Sequence, residues 1–176
     1  MLHVIEAASS GRAKCRGCAA KIAKGQLRLG EKVPNPFADG DMTLWFHLRC
    51  AAFKRPEILI EALGDTRETI DDREALIAAA EFGQRHRRLP RLDGIERAAS
   101  GRAKCRLCRN AIEKGAWRIP LVYYQEGQFE KSGFIHLRCA EDYFETTEIL
   151  DRLEHFGDDL GEDEIAELRS VLDGSA

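Results

Sequence analysis

Residues 5–28, IEAASSGRAKCRGCAAKIAKGQLR, return ninety positions later as residues 95–118, IERAASGRAKCRLCRNAIEKGAWR, with 15 of 24 positions identical. Self-similarity at that spacing marks a chain built from two copies of one unit, each about 85 residues long. The second copy then drops one residue, after which HLRCA at His47 overlies HLRCA at His136. The likeness runs on: EIL at Glu57 recurs at Glu148, and each copy ends in an acidic stretch with helical periodicity.

Every cysteine lies in a CxxC or HxxC pair, which is ligand spacing rather than a disulfide framework. Copy one reads C-x2-C-x28-H-x2-C and copy two C-x2-C-x27-H-x2-C. Zinc needs four soft or borderline ligands at tetrahedral positions, and a tight CxxC knuckle facing an HxxC helix start supplies them. The ligand sets are therefore Cys15, Cys18, His47 and Cys50, and Cys105, Cys108, His136 and Cys139. Small buried cysteines alone would leave the paired histidines unexplained. Catalytic zinc keeps a coordination position open, whereas these sets fill all four, so two structural Zn2+ ions are expected and no enzyme activity. A unit this small has a thin core, and zinc binding, worth on the order of 10 kcal/mol, would supply much of its folding free energy. Arg16, Arg49, Arg106 and Arg138 flank ligands. They either offset the excess thiolate charge or are solvated surface residues.

The expected fold class is α+β: two small zinc-binding domains, each a short antiparallel sheet followed by C-terminal helices. QLRLGEKV and AWRIPLVYY have strand content, WFHLRC and FIHLRC read as return strands entering a helix, and Asn35-Pro36, Asp39-Gly40 and Glu126-Gly127 mark turns. A later helix is expected through Asp71–Phe82 in one copy and Glu162–Leu172 in the other. Thr69-Ile-Asp-Asp offers the first of these an N-cap, and Ile70, Leu76, Ile77 and Ala80 an apolar face. The domains expected are 1–83 and 95–176, joined by a short basic linker at 84–94.

The net charge of -3 hides strong segregation. Residues 1–56 hold 10 Lys/Arg against 4 Asp/Glu, and residues 57–83 hold 2 against 8; residues 84–145 hold 13 against 8, and residues 146–176 hold 2 against 10. Basic segments kept apart from acidic ones are the footprint sought in a nucleic-acid binder. A Cys3His site carries three thiolates on one Zn2+, which lowers each basic balance by one. No secretory signal or bilayer-length apolar run is present, so an intracellular setting is expected, bacterial or nuclear.

The motif GRAKC-x2-C, the arginine thirteen residues beyond the first cysteine, the long ligand gap and the W-F-H-x2-C return strand resemble the zinc finger of poly(ADP-ribose) polymerases and DNA ligase III. The resemblance covers most of both copies. It implies recognition of DNA strand breaks by structure rather than by sequence. In such fingers one arginine grips backbone phosphate and a later strand arginine lies at the break, matching Arg12 and Arg28 in copy one and Arg102 and Arg118 in copy two. Two apolar side chains on the loop before the return strand cap the exposed base pair, matching Phe37 and Met42. In copy two the loop is shorter, and Tyr124 and Phe129 are the candidates; Lys131 suggests phosphate gripping instead. The catalytic domain usually attached to such fingers has no counterpart in these residues.

Duller readings stand beside these. Phe37 and Met42 could be core, Trp45, Phe46 and Phe134 are expected to be core rather than contact, and His3, His86 and His155 to be solvated. Arg85, Arg87, Arg88 and Arg91 either form a soluble linker or track phosphates. A zinc-stabilised protein-interaction adaptor is the rival function, with the acidic helices docking a repair or signalling protein. Such modules abut two zinc sites with shorter spacers than the gaps here. A zinc nuclease is a third class, disfavoured by the filled ligand sets.

Overall fold

The computed structural model describes residues 2–175. The chain forms two compact units, one of residues 2–85 with 125–128 and one of residues 86–124 with 129–175. In the first, β1 (Val4–Ala7), β2 (Leu27–Pro34) and β3 (Asp41–His47) make an antiparallel sheet in the order β1-β2-β3. Its register sets Glu6 opposite Arg28, Arg28 opposite His47 and Val33 opposite Met42. The long excursion from β1 to β2 carries the CxxC knuckle. It is closed at its base by Ala8 N–H to Gln26 O at 2.9 Å and Gly25 N–H to Ala8 O at 2.8 Å. Gly25, at φ 84, supplies the left-handed turn that a side chain would strain.

Three helices follow: α1 (Leu48–Lys54), α2 (Pro56–Asp65) and α3 (Arg73–Arg85). Pro56 separates the first two, because it lacks an N–H and holds the preceding residue out of helical geometry; Arg55 sits at φ -135, ψ 56. Leu29, Phe46, Phe53, Leu59, Leu63, Leu76 and Ala80 form the core between sheet and helices. The acid expected to open the last helix instead lies in a turn: α3 begins at Arg73, two residues later than the sequence suggested, with Leu76 N–H bonded to Asp72 O at 3.0 Å.

The second unit repeats the plan with β4 (Glu96–Arg97), β5 (Trp117–Gln125) and β6 (Gln128–His136) in the order β4-β5-β6. A 3-10 turn at Leu137–Cys139 leads into α4 (Ala140–Phe144), α5 (Leu150–Phe156) and α6 (Glu162–Leu172). The antiparallel sheets with C-terminal helices are the α+β fold expected. Sequence periodicity overlooked the short elements β1, β4 and α5, and also the ten-residue α2. The run 84–94, read as a linker, is ordered structure: Gln84 and Arg85 finish α3, and buried Leu89 and Leu92 pack into the second unit, where Leu92 bridges Leu121 and Asp93 N–H reaches Pro120 O at 2.9 Å. Its apolar residues, hidden among the arginines, are what fold it down.

Candidate metal centres and nucleic-acid interface

The two ligand sets assemble as the spacing requires. One ligand atom from each of Cys15, Cys18, His47 and Cys50 lies within 4.8 Å of the others, and the same holds for Cys105, Cys108, His136 and Cys139. Cys18 Sγ is 3.4 Å and Cys50 Sγ 3.8 Å from His47 Nδ1; in the second set Cys108 and Cys139 repeat those distances to His136 Nδ1. Sulfur and nitrogen ligands at tetrahedral angles around one zinc stand about 3.5 Å apart. These are two structural zinc sites. His136 Nε2–H donates to Ala111 O at 3.0 Å, which leaves Nδ1 unprotonated toward the thiolates.

Charge in each cluster also calls for a cation. The hydrogen bond from Cys50 holds the Cys15 thiol down at about 5, and the N–H groups of His47, Cys18 and Gly17 hold it further against burial. The same shared proton, with burial, pushes Cys50 far up, while burial pushes Cys18 up. At Cys105 burial raises the value, but N–H bonds from Cys108, His136 and Leu107 outweigh it and leave it at about 6. Burial and then the charge of Cys105 drive Cys139 up to about 12. Three crowded thiols cannot all ionise by themselves; a divalent metal removes that conflict.

The knuckles are not identical. A Cβ on Gly17 would come within 2.8 Å of Cys50 Cβ, so copy one requires glycine there. Copy two has Leu107 at that place, with Cys139 ending a 3-10 turn rather than lying inside an α-helix. Of the four flanking arginines, Arg49 lies over the Phe53 ring at 5.3 Å, Arg106 Nε–H donates to Ser132 O at 2.7 Å, Arg138 lies 3.5 Å from His136 Nε2, and Arg16 is exposed.

The strand arginines are built in. Arg28 is only 6% exposed, stacks over Trp45 at 3.5 Å and pairs with Glu6 at 2.7 Å, while its Nε has no hydrogen-bond partner among the described residues. Arg118 stacks over Phe134 at 3.7 Å and pairs with Glu96 at 2.6 Å. Trp45 and Phe134, expected as core, are therefore half-buried platforms for guanidinium groups; Phe46 is core. Arg12 and Arg102 are exposed on the knuckle loops and have no ion pair among the described residues.

Phe37 is 88% exposed, on a turn where Phe37 N–H bonds Asn35 Oδ1 at 3.0 Å and Asn35 N–H bonds Gly40 O. Its core reading is excluded. Met42 was expected on the same loop but stands in β3 opposite Val33, half-buried, because the return strand starts at Asp41. In the second copy β5 and β6 run to a two-residue turn, Glu126-Gly127, at φ 50 and 82, the geometry of a tight hairpin. Tyr124 and Phe129 consequently lie in β5 and β6, half-buried, their rings 5.1 Å apart and tilted at 59°. Tyr123, which the sequence did not single out, is the exposed ring. His3 and His155 are not simply solvated: His3 Nδ1 accepts from Lys32 N–H at 3.2 Å, and His155 packs edge-on to Phe156 at 4.7 Å. Among the described residues no helix is long and apolar enough to cross a membrane.

Comparison with known proteins places this geometry. Residues 6–81 match the sequence family described as the poly(ADP-ribose) polymerase and DNA-ligase Zn-finger region. Poly [ADP-ribose] polymerase 1 of Oryza sativa subsp. japonica is 32% identical over 143 residues, covering 77% of this chain and 14% of its own length. The poly [ADP-ribose] polymerase of Drosophila melanogaster is 32% identical over 156 residues, covering 78% of this chain and 16% of its own. Poly [ADP-ribose] polymerase 1 of Gallus gallus is 34% identical over 131 residues, covering 65% and 13%. The chain thus spans about a seventh of the length of the curated relatives it matches.

Proposed function

Because the chain belongs to the family of poly(ADP-ribose) polymerase and DNA-ligase zinc fingers, with residues 6–81 as one finger and a repeat of it following, we propose that it is a sequence-independent sensor of DNA strand breaks. The observation that carries this reading is Phe37. A phenylalanine 88% exposed on a hydrogen-bonded turn contributes little to the core, and a ring so placed is free to cap an exposed base pair at a nick or end. Met42 flanks it from β3. Arg12 and Arg102, free of carboxylate partners, contact backbone phosphate, and Arg28 and Arg118 approach the break from their aromatic platforms. In the second unit the Tyr124–Phe129 pair is a weaker cap, since each ring already covers the other. Zinc takes no part in chemistry; it fixes the knuckle that carries Arg12 or Arg102 against the sheet that carries Arg28 or Arg118.

Competition between nicked and covalently closed circles of the same plasmid tests the proposal. The protein should prefer the nicked form strongly, and equal affinity for the two would sink the strand-break reading. Binding to neither, with a partner protein captured through the acidic helices, would favour the adaptor.

A further inference from the structure

The carboxylates of the second unit are spent unevenly on its arginines. Arg97 pairs with Glu167, Arg118 with Glu96 and Arg152 with Asp151. Arg91, Arg106 and Arg109 have no carboxylate partner among the described residues, and these three line one groove of about 510 Å³. Arg91 Nη1–H donates to Tyr143 Oη at 3.3 Å, and Arg106 Nε–H to Ser132 O at 2.7 Å, so two of the guanidinium groups are held in place with most of their donors unused. Arg88 extends the positive edge, stacked over Tyr143 at 5.0 Å. The remaining wall is Leu121 and the exposed ring of Tyr123, 44% accessible. No acidic side chain among the described residues lines the groove.

Copy one cannot form this feature. Ninety positions earlier, Ala19 stands where copy two has Arg109, Val33 where it has Tyr123, and Glu31 where it has Leu121. Glu31 is buried and occupied by Arg55, Nε to Oε2 at 2.9 Å. Two substitutions thus add a cation and an aromatic ring and a third removes an anion, all along one groove.

We propose that this groove binds single-stranded nucleic acid, a flap or tail leaving the break, with Tyr123 stacking on an unpaired base and Arg91, Arg106 and Arg109 holding the neighbouring phosphates. Cationic side chains beside a solvent-facing aromatic ring are the elements of a sequence-tolerant single-strand track. A duplex offers the phosphates but no free base face for Tyr123. The inference rests on the break-sensing reading for its setting, not for its chemistry: no residue of the groove belongs to the Phe37 turn or to the platforms under Arg28 and Arg118.

The test is fluorescence anisotropy of the full zinc-loaded chain with three labelled probes: a nicked duplex, the same nick bearing a short oligothymidine flap, and the same flap made abasic. The base-bearing flap should tighten binding about tenfold over the plain nick, the abasic flap much less. Tyr123→Val with Arg109→Ala places in copy two the residues copy one already carries, which the fold accommodates. That variant should lose the flap increment while its affinity for the plain nick stays unchanged. An increment that survives in the variant, a flap that adds nothing, or an abasic flap as good as the base-bearing one overturns the proposal. So does displacement of the flap by a polyglutamate peptide as readily as by oligothymidine, which would mark a general anion surface. Loss of the preference for nicked over closed circles, with oligothymidine still bound through Tyr123, would instead fail the break-sensing reading alone.

Discussion

Arg28 donates from Nη2 to Glu6 Oε1 at 2.7 Å, directly across the β1–β2 register, while its guanidinium carbon lies 3.5 Å from the centre of the Trp45 ring. Arg118 and Glu96 repeat the pairing across β4 and β5 over Phe134. A carboxylate that orients an arginine also competes for it. Glu6 is 41% exposed, so solvent screens its end of the pair, whereas the Arg28 side chain, 7% exposed, depends on Glu6 to offset its burial. Removing its charge should release Arg28 toward phosphate. Glu6→Gln is expected to raise affinity for nicked duplex by about twofold to fivefold and to steepen its salt dependence by about one unit, with a drop in melting temperature because the buried guanidinium loses its carboxylate. Weaker binding would show that Glu6 serves to aim Arg28 rather than to restrain it.

Phe37 and Met42 differ in how much fold they carry. Phe37→Ala should change stability by no more than about 0.5 kcal/mol, because the ring is almost wholly solvent-facing. Met42→Ala should cost more, since its side chain is half-buried in β3. Both should reduce the preference for nicked over closed DNA, and the double variant should abolish it with zinc content intact. Thermal melts run beside plasmid competition separate the two effects.

Arg12 and Arg102 are expected to act through charge alone. Changing either to Gln should weaken binding to nicked and intact duplex alike and lower the slope of log affinity against log salt by about 0.9 for each phosphate no longer neutralised. A salt titration of each variant reads this directly. An unchanged slope would remove that arginine from the interface.

Acid should unload the metal. Cys15 and Cys105 have folded values of about 5 and about 6, below the ordinary thiol value of 9.0. For a group whose folded value is depressed, the stabilising contribution is present above the unfolded value and is lost as pH falls through the folded one. Protons also compete with zinc for every thiolate and for both histidines. Zinc release and loss of helicity should therefore run together as the solution is acidified. A chromogenic zinc assay followed alongside circular dichroism checks the coincidence, and metal lost with helicity intact would contradict it.

Much of this was legible in the chain because its signals are local or repeated. Ligand spacing identified both metal sites, since a CxxC turn and an HxxC helix start each fix two ligands within four residues. The sheet and its helices followed from the same anchors together with β-branched and apolar periodicity. What escaped were elements too short to show a period: β4 has two residues and β1 four, and each is held by pairing with a distant strand. Met42, Tyr124 and Phe129 were read as loop residues for a related reason. Where a strand stops depends on cross-strand pairing, and in copy two Glu126-Gly127 turns the chain so tightly that the expected loop becomes strand.

By itself, then, the sequence determined two zinc-pinned units, their eight ligands and the alternation of basic and acidic segments, because covalent spacing and duplication need no tertiary information. Only the tertiary structure decided which charges remain available. Arginine is always ionised, so composition counts Arg28, Arg118, Arg106 and Arg109 alike; folding sets Glu6 against Arg28 and Glu96 against Arg118, and leaves Arg106 and Arg109 facing a groove without a carboxylate. The same holds for the rings. Phe37 and Tyr123 face solvent and Tyr124 and Phe129 cover one another, a distinction made by strand register and turn geometry that no single residue records.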